Sequence, residues 1–365
     1  MDKRRGIFST IKKDLTEENL FRKFRNEIVS LKNFYLDAEK QIKIKRMYRI
    51  VGWFYIVWWI LKEMFFRLSP VRRVILLVAF ALLIGSVKIV YGEEVSLIFG
   101  DSHWGTILIL LVLMLELKDK LIAHEELDAG RQVQQALLPD QTPKIKGWDI
   151  WLYTQPANNV GGDLVDFIKL SNKTAYGIAI ADVAGKGLKS ALLATKLQTI
   201  LHIFLDSDKS LTDRVNQINQ SFCKESLKNI FASVIYLELR ENENTIEFVN
   251  AGHFPPLLIK ENEIIEFEKG DVAIGLMKDA NFRSIKLTLN DNDIFVAYSD
   301  GLIETQNEFG QFYGIERLKK ILTKFSALSS KEIGERVLTS LEHFIGDYLP
   351  KDDLSLIIIK LKKFG

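Results

Sequence analysis

Four acidic sites in this chain stand beside small or turn-forming residues. Asp163 follows Gly161-Gly162. Asp182 sits in Ile180-Ala181-Asp182-Val183-Ala184-Gly185-Lys186-Gly187. Asp300 sits in Tyr298-Ser299-Asp300-Gly301, and Asp352-Asp353 form an adjacent pair. A carboxylate is costly to bury unless it is paired or bound to a cation. Neighbouring glycines let several carboxylates converge on one point. A ligand set of carboxylates without clustered Cys or His suits hard cations, Mg²⁺ or Mn²⁺, and not zinc. Two such ions can share a water and make it a nucleophile near neutral pH. Each acidic motif alone is an ordinary turn signal; their joint occurrence in this order carries the chemistry.

Other chemistries fail on spacing. Gly185-Lys186-Gly187 is not a P-loop, because the required upstream glycine is Ile180 and the required Ser/Thr is Gly187. Its glycines fit a loop whose backbone approaches metal, water or phosphate and starts the next helix. His253, between Gly252 and Phe254, reads as a residue holding a hairpin turn. No HExxH, CxxC or Gly-x-Ser-x-Gly pattern occurs, and the single cysteine, Cys223, has no internal disulfide partner. That fits a reducing compartment.

The elements that must position these acids lie beyond residue 146. Short β-rich runs fall at 175–181, 232–239, 245–250, 256–260, 264–267, 283–289, 294–298 and 354–361, several joined by tight polar turns. Asp182 and Asp300 therefore close strands and Asp352-Asp353 opens one. Helical periodicity falls at 188–205, 211–227, 315–325 and 331–344. Hairpins with segregated helices predict an α+β domain.

The N-terminal third is different in kind. The chain has 365 residues and a net charge of +2. Residues 1–50 carry 14 Lys/Arg against 7 Asp/Glu and residues 51–118 carry 6 against 5, so the remainder is acidic. No signal peptide is visible in the first 40 residues. Apolar runs predict an interfacial helix at about 50–66 and membrane spans at about 74–91 and 95–117. Arg67, Arg72 and Arg73 before the first span, Lys118 and Lys120 after the second, and Glu93 and Glu94 between them predict both termini inside and a multi-pass placement in the cell (inner) membrane, with the catalytic domain cytoplasmic. The basic segment 1–49 lacks the aromatic interleaving of a nucleic-acid surface; membrane lipids are its expected counter-charge, with no nucleic-acid partner. Residues 110–138 read as one helix with Leu110, Leu113, Leu117, Leu127 and Leu138 on a stripe and Lys120, His124, Arg131 and Gln134 in the other seam positions. It is either a solvated spacer or a marginal coiled coil that transmits a signal. The expected organisation is 1–49 basic segment, 50–118 membrane region, 119–145 linker or signalling helix, and 146–365 catalytic domain.

From about 127 to 360 the chain resembles the SpoIIE/RsbU-type branch of the metal-dependent serine/threonine protein phosphatases (PPM superfamily). The resemblance rests on the helix Ala129–Pro139, Gly161-Gly-Asp-Leu-Val-Asp-Phe167, Ala181-Asp-Val-Ala-Gly-Lys-Gly187, Asn250-Ala-Gly-His-Phe-Pro-Pro256, Tyr298-Ser-Asp-Gly-Leu-Ile-Glu304 and Asp352-Asp-Leu-Ser-Leu356. It implies an αββα sandwich of two mainly antiparallel sheets flanked by helices, with two Mn²⁺ or Mg²⁺ ions at one end. Asp182 would bridge both ions and the Val183 carbonyl would serve one. Asp300 and Asp352 would hold one ion and Asp163 would act on the other side. Asp353, Gly185 and Gly187 are the further candidates. The resemblance also implies a phosphoprotein substrate, of the kind of a STAS-like anti-anti-sigma factor, partner-switching signalling, and a homodimer. Two departures stand out. Ala184 occupies the place where the wider superfamily has a His, and Phe254 the place where this branch has Asn. The competing reading is a membrane-tethered pseudophosphatase that binds a partner without turnover.

Overall fold

The computed structural model describes Leu36, Lys40, Lys43 and residues 49–85, 87–90, 96–99 and 103–362, apart from 171–173, 206, 208, 226–229, 262 and 347–349. The chain forms two compact units, 1–122 and 123–365. Most of the basic segment expected at 1–49, and the acidic loop with Glu93 and Glu94, lie outside the described residues.

The first unit contains α1 (Arg49–Arg67), α2 (Pro70–Gly85), a hairpin of β1 (Val87–Val90) and β2 (Ser96–Phe99), and the start of α3 (His103–Ala136). Pro70 opens α2 at the first helical position, where its missing N–H is no loss. The two helices flanking the hairpin run side by side. A Cβ on Gly105 would lie 2.8 Å from the Ala79 carbonyl and 2.8 Å from Leu83, so only glycine allows that approach. At the other end of the pair, Arg72 reaches Glu116 and Asp119, each at 2.6 Å.

This arrangement corrects the membrane reading. The expected spans at 74–91 and 95–117 are each broken, because α2 stops at Gly85, α3 starts at His103, and 87–90 and 96–99 pair as antiparallel strands. The 16 residues of α2 rise only about 24 Å, short of a ~30 Å hydrocarbon core. Among the described residues no helix is long and apolar enough to cross a membrane, and the multi-pass placement falls with the spans. Arg72, taken as a flank that set orientation, is an ion-pair partner of α3. The apolar run itself is real: α1 and α2 carry exposed large side chains such as Trp53, Trp58, Val71 and Val74.

The second unit begins within α3 and continues through β3 (Trp148–Gln155), β4 (Asp163–Lys169), β5 (Ala175–Val183), α4 (Leu188–Leu205), α5 (Leu211–Glu225), β6 (Ala232–Arg240), β7 (Thr245–Ala251), β8 (Leu257–Lys260), β9 (Glu263–Glu266), β10 (Ser284–Thr288), β11 (Ile294–Tyr298), α6 (Asp300–Ile303), α7 (Ile315–Lys324), α8 (Ser330–Ile345) and β12 (Leu354–Leu361). One five-stranded sheet has the order β10-β7-β6-β5-β4 and the other β3-β12-β11-β8-β9. All the pairings are antiparallel.

The layers follow from strand periodicity. On β5, Ile178 and Ile180 join Ile357, Ile359 and Phe295 in a core between the two sheets. The alternate residues Ala179, Ala181 and Val183 face Leu197, Leu201 and Phe222 of α4 and α5. On β12, Leu354, Leu356 and Ile358 pack outward onto Leu318, Leu322, Ile333 and Val337 of α7 and α8. Each of the larger side chains, Val, Leu, Ile or Phe, contributes about 1.5–3 kcal/mol when fully buried relative to exposure. The result is the expected αββα order. A capping box of Ser329 and Glu332 starts α8. Two strands of this unit escaped the sequence reading, β3 and β4. Asp149 in β3 and Asp163 and Asp166 in β4 interrupt what would otherwise be plain apolar runs.

Candidate active site

Strand periodicity also selects which acids meet. Side chains alternate across a strand. Val165, Ile180 and Ile357 face the inter-sheet core, so Asp163, Asp182 and Ser355, each an even step away, face the same gap at its end. Asp163 and Asp182 are direct register partners across β4 and β5, and Asp182 is opposite Ser233 of β6. In the second sheet, β11 ends at Tyr298 opposite Leu356. Asp300, just after β11, and Asp352-Asp353, just before β12, therefore sit at one end of that sheet.

The two sheets are joined there by hydroxyls. Ser355 Oγ donates to Asp163 Oδ2 at 2.6 Å and lies 2.9 Å from Thr154 Oγ1. Ser299 Oγ donates to the Asp353 carbonyl at 3.2 Å and accepts from the Ser355 N–H at 2.9 Å. Gly301 is required by close approach: a Cβ there would run into the Asp353 backbone carbonyl. Val183 packs against the Gly161-Gly162 segment, with its N–H donating to the Gly162 carbonyl at 3.3 Å. Gly185 and Gly187 both have positive φ, +124° and +73°, which L side chains rarely adopt.

The sequence candidates thus divide. Asp163, Asp182, Asp300 and Asp352 come to one end of the sandwich. Asp353 has a different occupation. Its carboxylate accepts from the N–H groups of Ala157 at 2.8 Å, Gly162 at 2.6 Å and Asp163 at 3.4 Å, so it organises the loop that carries Asp163. Asp352 is paired with Lys186, Nζ to Oδ2 at 2.8 Å.

Electrostatics report the crowding. Burial pushes Asp182 up to about 6, with Asp300, Asp352 and Asp353 adding to it and Lys186 opposing. Asp300 is raised by burial and by Asp352. Asp163 stands well above the usual carboxylate range, driven by burial and by Asp182 and Asp353 against the Ser355 hydrogen bond. Acids that raise one another hold a site of excess negative charge, and their oxygen-only chemistry fits a hard divalent cation. Among the described residues, no three His, Cys, Asp or Glu side chains enclose a common point as a ready-made cage. The Asp163 and Asp353 carboxylates accept from protein donors and Asp352 is paired with Lys186.

His253 is buried, with Nδ1 2.8 Å from Ser233 Oγ, and its N–H and C=O are both held by the Asn250 amide. Burial depresses it to about 4. Its side chain has a structural role, bonded to Ser233 of β6, while the turn itself is held by the Asn250 amide. Phe254 packs its ring near Tyr298, centroids 6.2 Å apart.

Sequence reasoning missed three positioning residues. Ser355 and Ser299 signal themselves only as small polar residues beside the acids. Gln134 was assigned to a helix seam. Instead its amide clamps the backbone of Gly161, Nε2 donating to the carbonyl at 2.8 Å and Oε1 accepting from the N–H at 3.1 Å. Gln134, Arg131 and Leu138 of this helix region line a cavity shared with Asp163 and Asp353.

Comparison with known proteins accords with this geometry. Residues 172–362 match the family described as Stage II sporulation protein E (SpoIIE). The chain is 26% identical over 239 residues to phosphoserine phosphatase RsbU of Bacillus subtilis (strain 168), covering 65% of this chain and 70% of that one. It is 24% identical over 249 residues to phosphoserine phosphatase RsbP of the same organism, covering 67% of this chain and 59% of that one. Among solved structures, the SiaA-PP2C domain of Pseudomonas aeruginosa superposes with a TM-score of 0.56 at 20% identity, over 67% of this chain and 99% of that one, a likeness of fold. The family match spans more than half of the chain, and with the two-sheet fold and the converging acids it places this protein in the SpoIIE family of serine/threonine protein phosphatases.

Proposed function

We propose that this protein hydrolyses phosphoserine or phosphothreonine on a partner protein in a signalling pathway of the partner-switching kind, using two divalent cations, Mn²⁺ or Mg²⁺. The observation that carries the reading is the meeting of Asp163, Asp182, Asp300 and Asp352 at one end of the sandwich, fixed by the direct Asp163–Asp182 register and by the β11–β12 pairing. Asp182 would serve both cations, Asp300 and Asp352 one of them, and Asp163 the other side, with the Val183 carbonyl as an uncharged ligand. The cations, when bound, supply an acidified water and neutralise phosphate charge. The protein's own part is to hold the acids. Ser355 orients Asp163, Asp353 fixes its loop through three backbone donors, and Ser299 locks the start of β12 against the end of β11. Ala184 leaves no side-chain acid after Asp182, so protonation of the leaving serine oxygen falls to solvent.

The substrate proposed from the resemblance to RsbU and RsbP is a small STAS-like protein. The working unit is proposed to be a homodimer, with α3 as the element that passes a signal into the catalytic unit, because α3 leads unbroken to the Gln134 clamp on Gly161. The test is hydrolysis of an aryl phosphate by the full chain with and without Mn²⁺, alongside Asp182→Asn. Wild-type turnover should require the metal and the variant should lose it by at least about 10²-fold while melting normally. Wild-type turnover in Asp182→Asn at saturating Mn²⁺ would remove Asp182 from the centre of the mechanism.

A further inference from the structure

Lys186 is a cation placed where the reaction needs charge control. It lies between Gly185 and Gly187, on the loop joining β5 to α4 in the first sheet's layer. Its side chain crosses to the other sheet, where Nζ donates to Asp352 Oδ2 at 2.8 Å and to the Lys351 carbonyl at 3.2 Å. Its charge also offsets Asp182 and Asp300. Yet the side chain is 63% exposed and that of Asp352 48%, so the pair is weak and reversible. Space is open on this side of the loop: nothing lies within 4 Å of where a Cβ on Gly187 would stand.

An ammonium seated on Asp352 Oδ2 takes a lone pair that a divalent cation would need. Once cations neutralise the acids, the attraction that holds the ammonium there is largely lost. The freed ammonium, on a four-carbon stem at the mouth of the site, is then a point charge suited to a phosphate dianion. Resting on the two-metal reading above, we propose that Lys186 is a tethered counter-ion that leaves Asp352 when the site loads with metal and then holds the phosphate group of the substrate. It would raise the metal concentration needed for loading and discourage metal-free substrate binding at once.

The test uses full-length protein and the variants Lys186→Met and Lys186→Arg, with Mn²⁺ binding followed by calorimetry and by the electron paramagnetic resonance of free Mn²⁺. Lys186→Met should bind Mn²⁺ roughly two- to fivefold more tightly, the scale of an exposed ion pair, while Lys186→Arg stays near wild type. Inorganic phosphate titrated into the Mn²⁺-loaded proteins should bind Lys186→Met at least about fivefold more weakly, the loss of one charged contact. An unchanged or weaker Mn²⁺ affinity in Lys186→Met overturns the counter-ion role, and unchanged phosphate affinity overturns the phosphate role. A wild-type protein that binds no Mn²⁺ removes the two-metal reading itself, a result separate from either.

Discussion

Replacing Gln134 with Ala removes both halves of the clamp on Gly161, the 2.8 Å bond to its carbonyl and the 3.1 Å bond from its N–H. Gly161 is buried, and the position of its Cβ is filled by the Asp353 carboxylate, 2.6 Å away. Each net hydrogen bond is worth about 1 kcal/mol, and a buried group left unpaired costs about 1–3 kcal/mol. Gln134 is half-buried, so water can reach part of the gap, and the total comes to about 2–3 kcal/mol. That corresponds to about 30- to 150-fold in the population of the clamped loop. The loop carries Asp163, so the loss should appear as weakened metal loading. An Mn²⁺ titration of aryl-phosphate hydrolysis should shift to at least about tenfold higher metal, with activity returning at saturation. Gln134→Glu, which keeps an acceptor for the Gly161 N–H and loses the donor, should fall between. Urea melts should report the stability loss independently. If stability falls while the Mn²⁺ midpoint and kcat stay at wild-type values, the clamp serves the fold alone and the coupling argued here is wrong.

Three further outcomes follow from the same geometry. Zinc should fail to restore turnover after chelation while Mn²⁺ or Mg²⁺ restores it, because the converging donors are carboxylates without Cys or clustered His; full rescue by zinc would contradict the assignment. Gly301→Ala should drive a Cβ into the Asp353 carbonyl, costing about 1–3 kcal/mol in overpacking and, by displacing Asp352, about 10²-fold in kcat; a variant with wild-type kcat would show that the start of β12 yields without moving its acid. Arg214→Ala should destabilise the domain by about 3–5 kcal/mol in denaturant melts, since buried Arg214 pairs with Glu238 at 2.7 Å and its loss strands the partner charge; a loss under about 1 kcal/mol would mean that water or Tyr236, whose hydroxyl already donates to Glu238, compensates.

What the sequence conveyed and what it withheld divide along the distance between partners. Asp182 and Asp300 were legible because each ends an apolar strand and carries a local turn signature, and the glycine of Ser299-Asp300-Gly301 proved necessary for close backbone approach. The helices and most strands of the catalytic unit were legible because their apolar faces repeat with the period of the element. β4 was not, since its two acids look like loop residues until Asp163 is seen facing the inter-sheet gap and Asp166 facing His202 at 2.7 Å on the other side. The positioning network was invisible for a related reason. Ser355 meets Asp163 across 192 residues, Lys186 meets Asp352 across 166, and Gln134 meets Gly161 across 27. No local pattern encodes such pairs.

The N-terminal error has its own cause. Hydropathy over a window counts apolar residues without asking whether the backbone stays helical. At 87–90 and 96–99 it does not stay so, and a hairpin divides the run. The apolar face that suggested a span is partly consumed by the close α2–α3 contact at Gly105, where Ala79 is fully buried. One of the basic residues that suggested orientation, Arg72, is consumed by Glu116 and Asp119. The same logic bears on α3. Its seam of Leu with polar residues left a solvated spacer and a marginal coiled coil both open, yet within the catalytic unit His124 lies 3.1 Å from the Asn159 amide and Gln134 holds Gly161. Polar residues that would weaken a helix pair are here contacts to the helix's own domain. Any pairing of α3 with a second copy must therefore use the faces these contacts leave free. A dimer that engaged Gln134 would have to release Gly161, and with it the loop that holds Asp163.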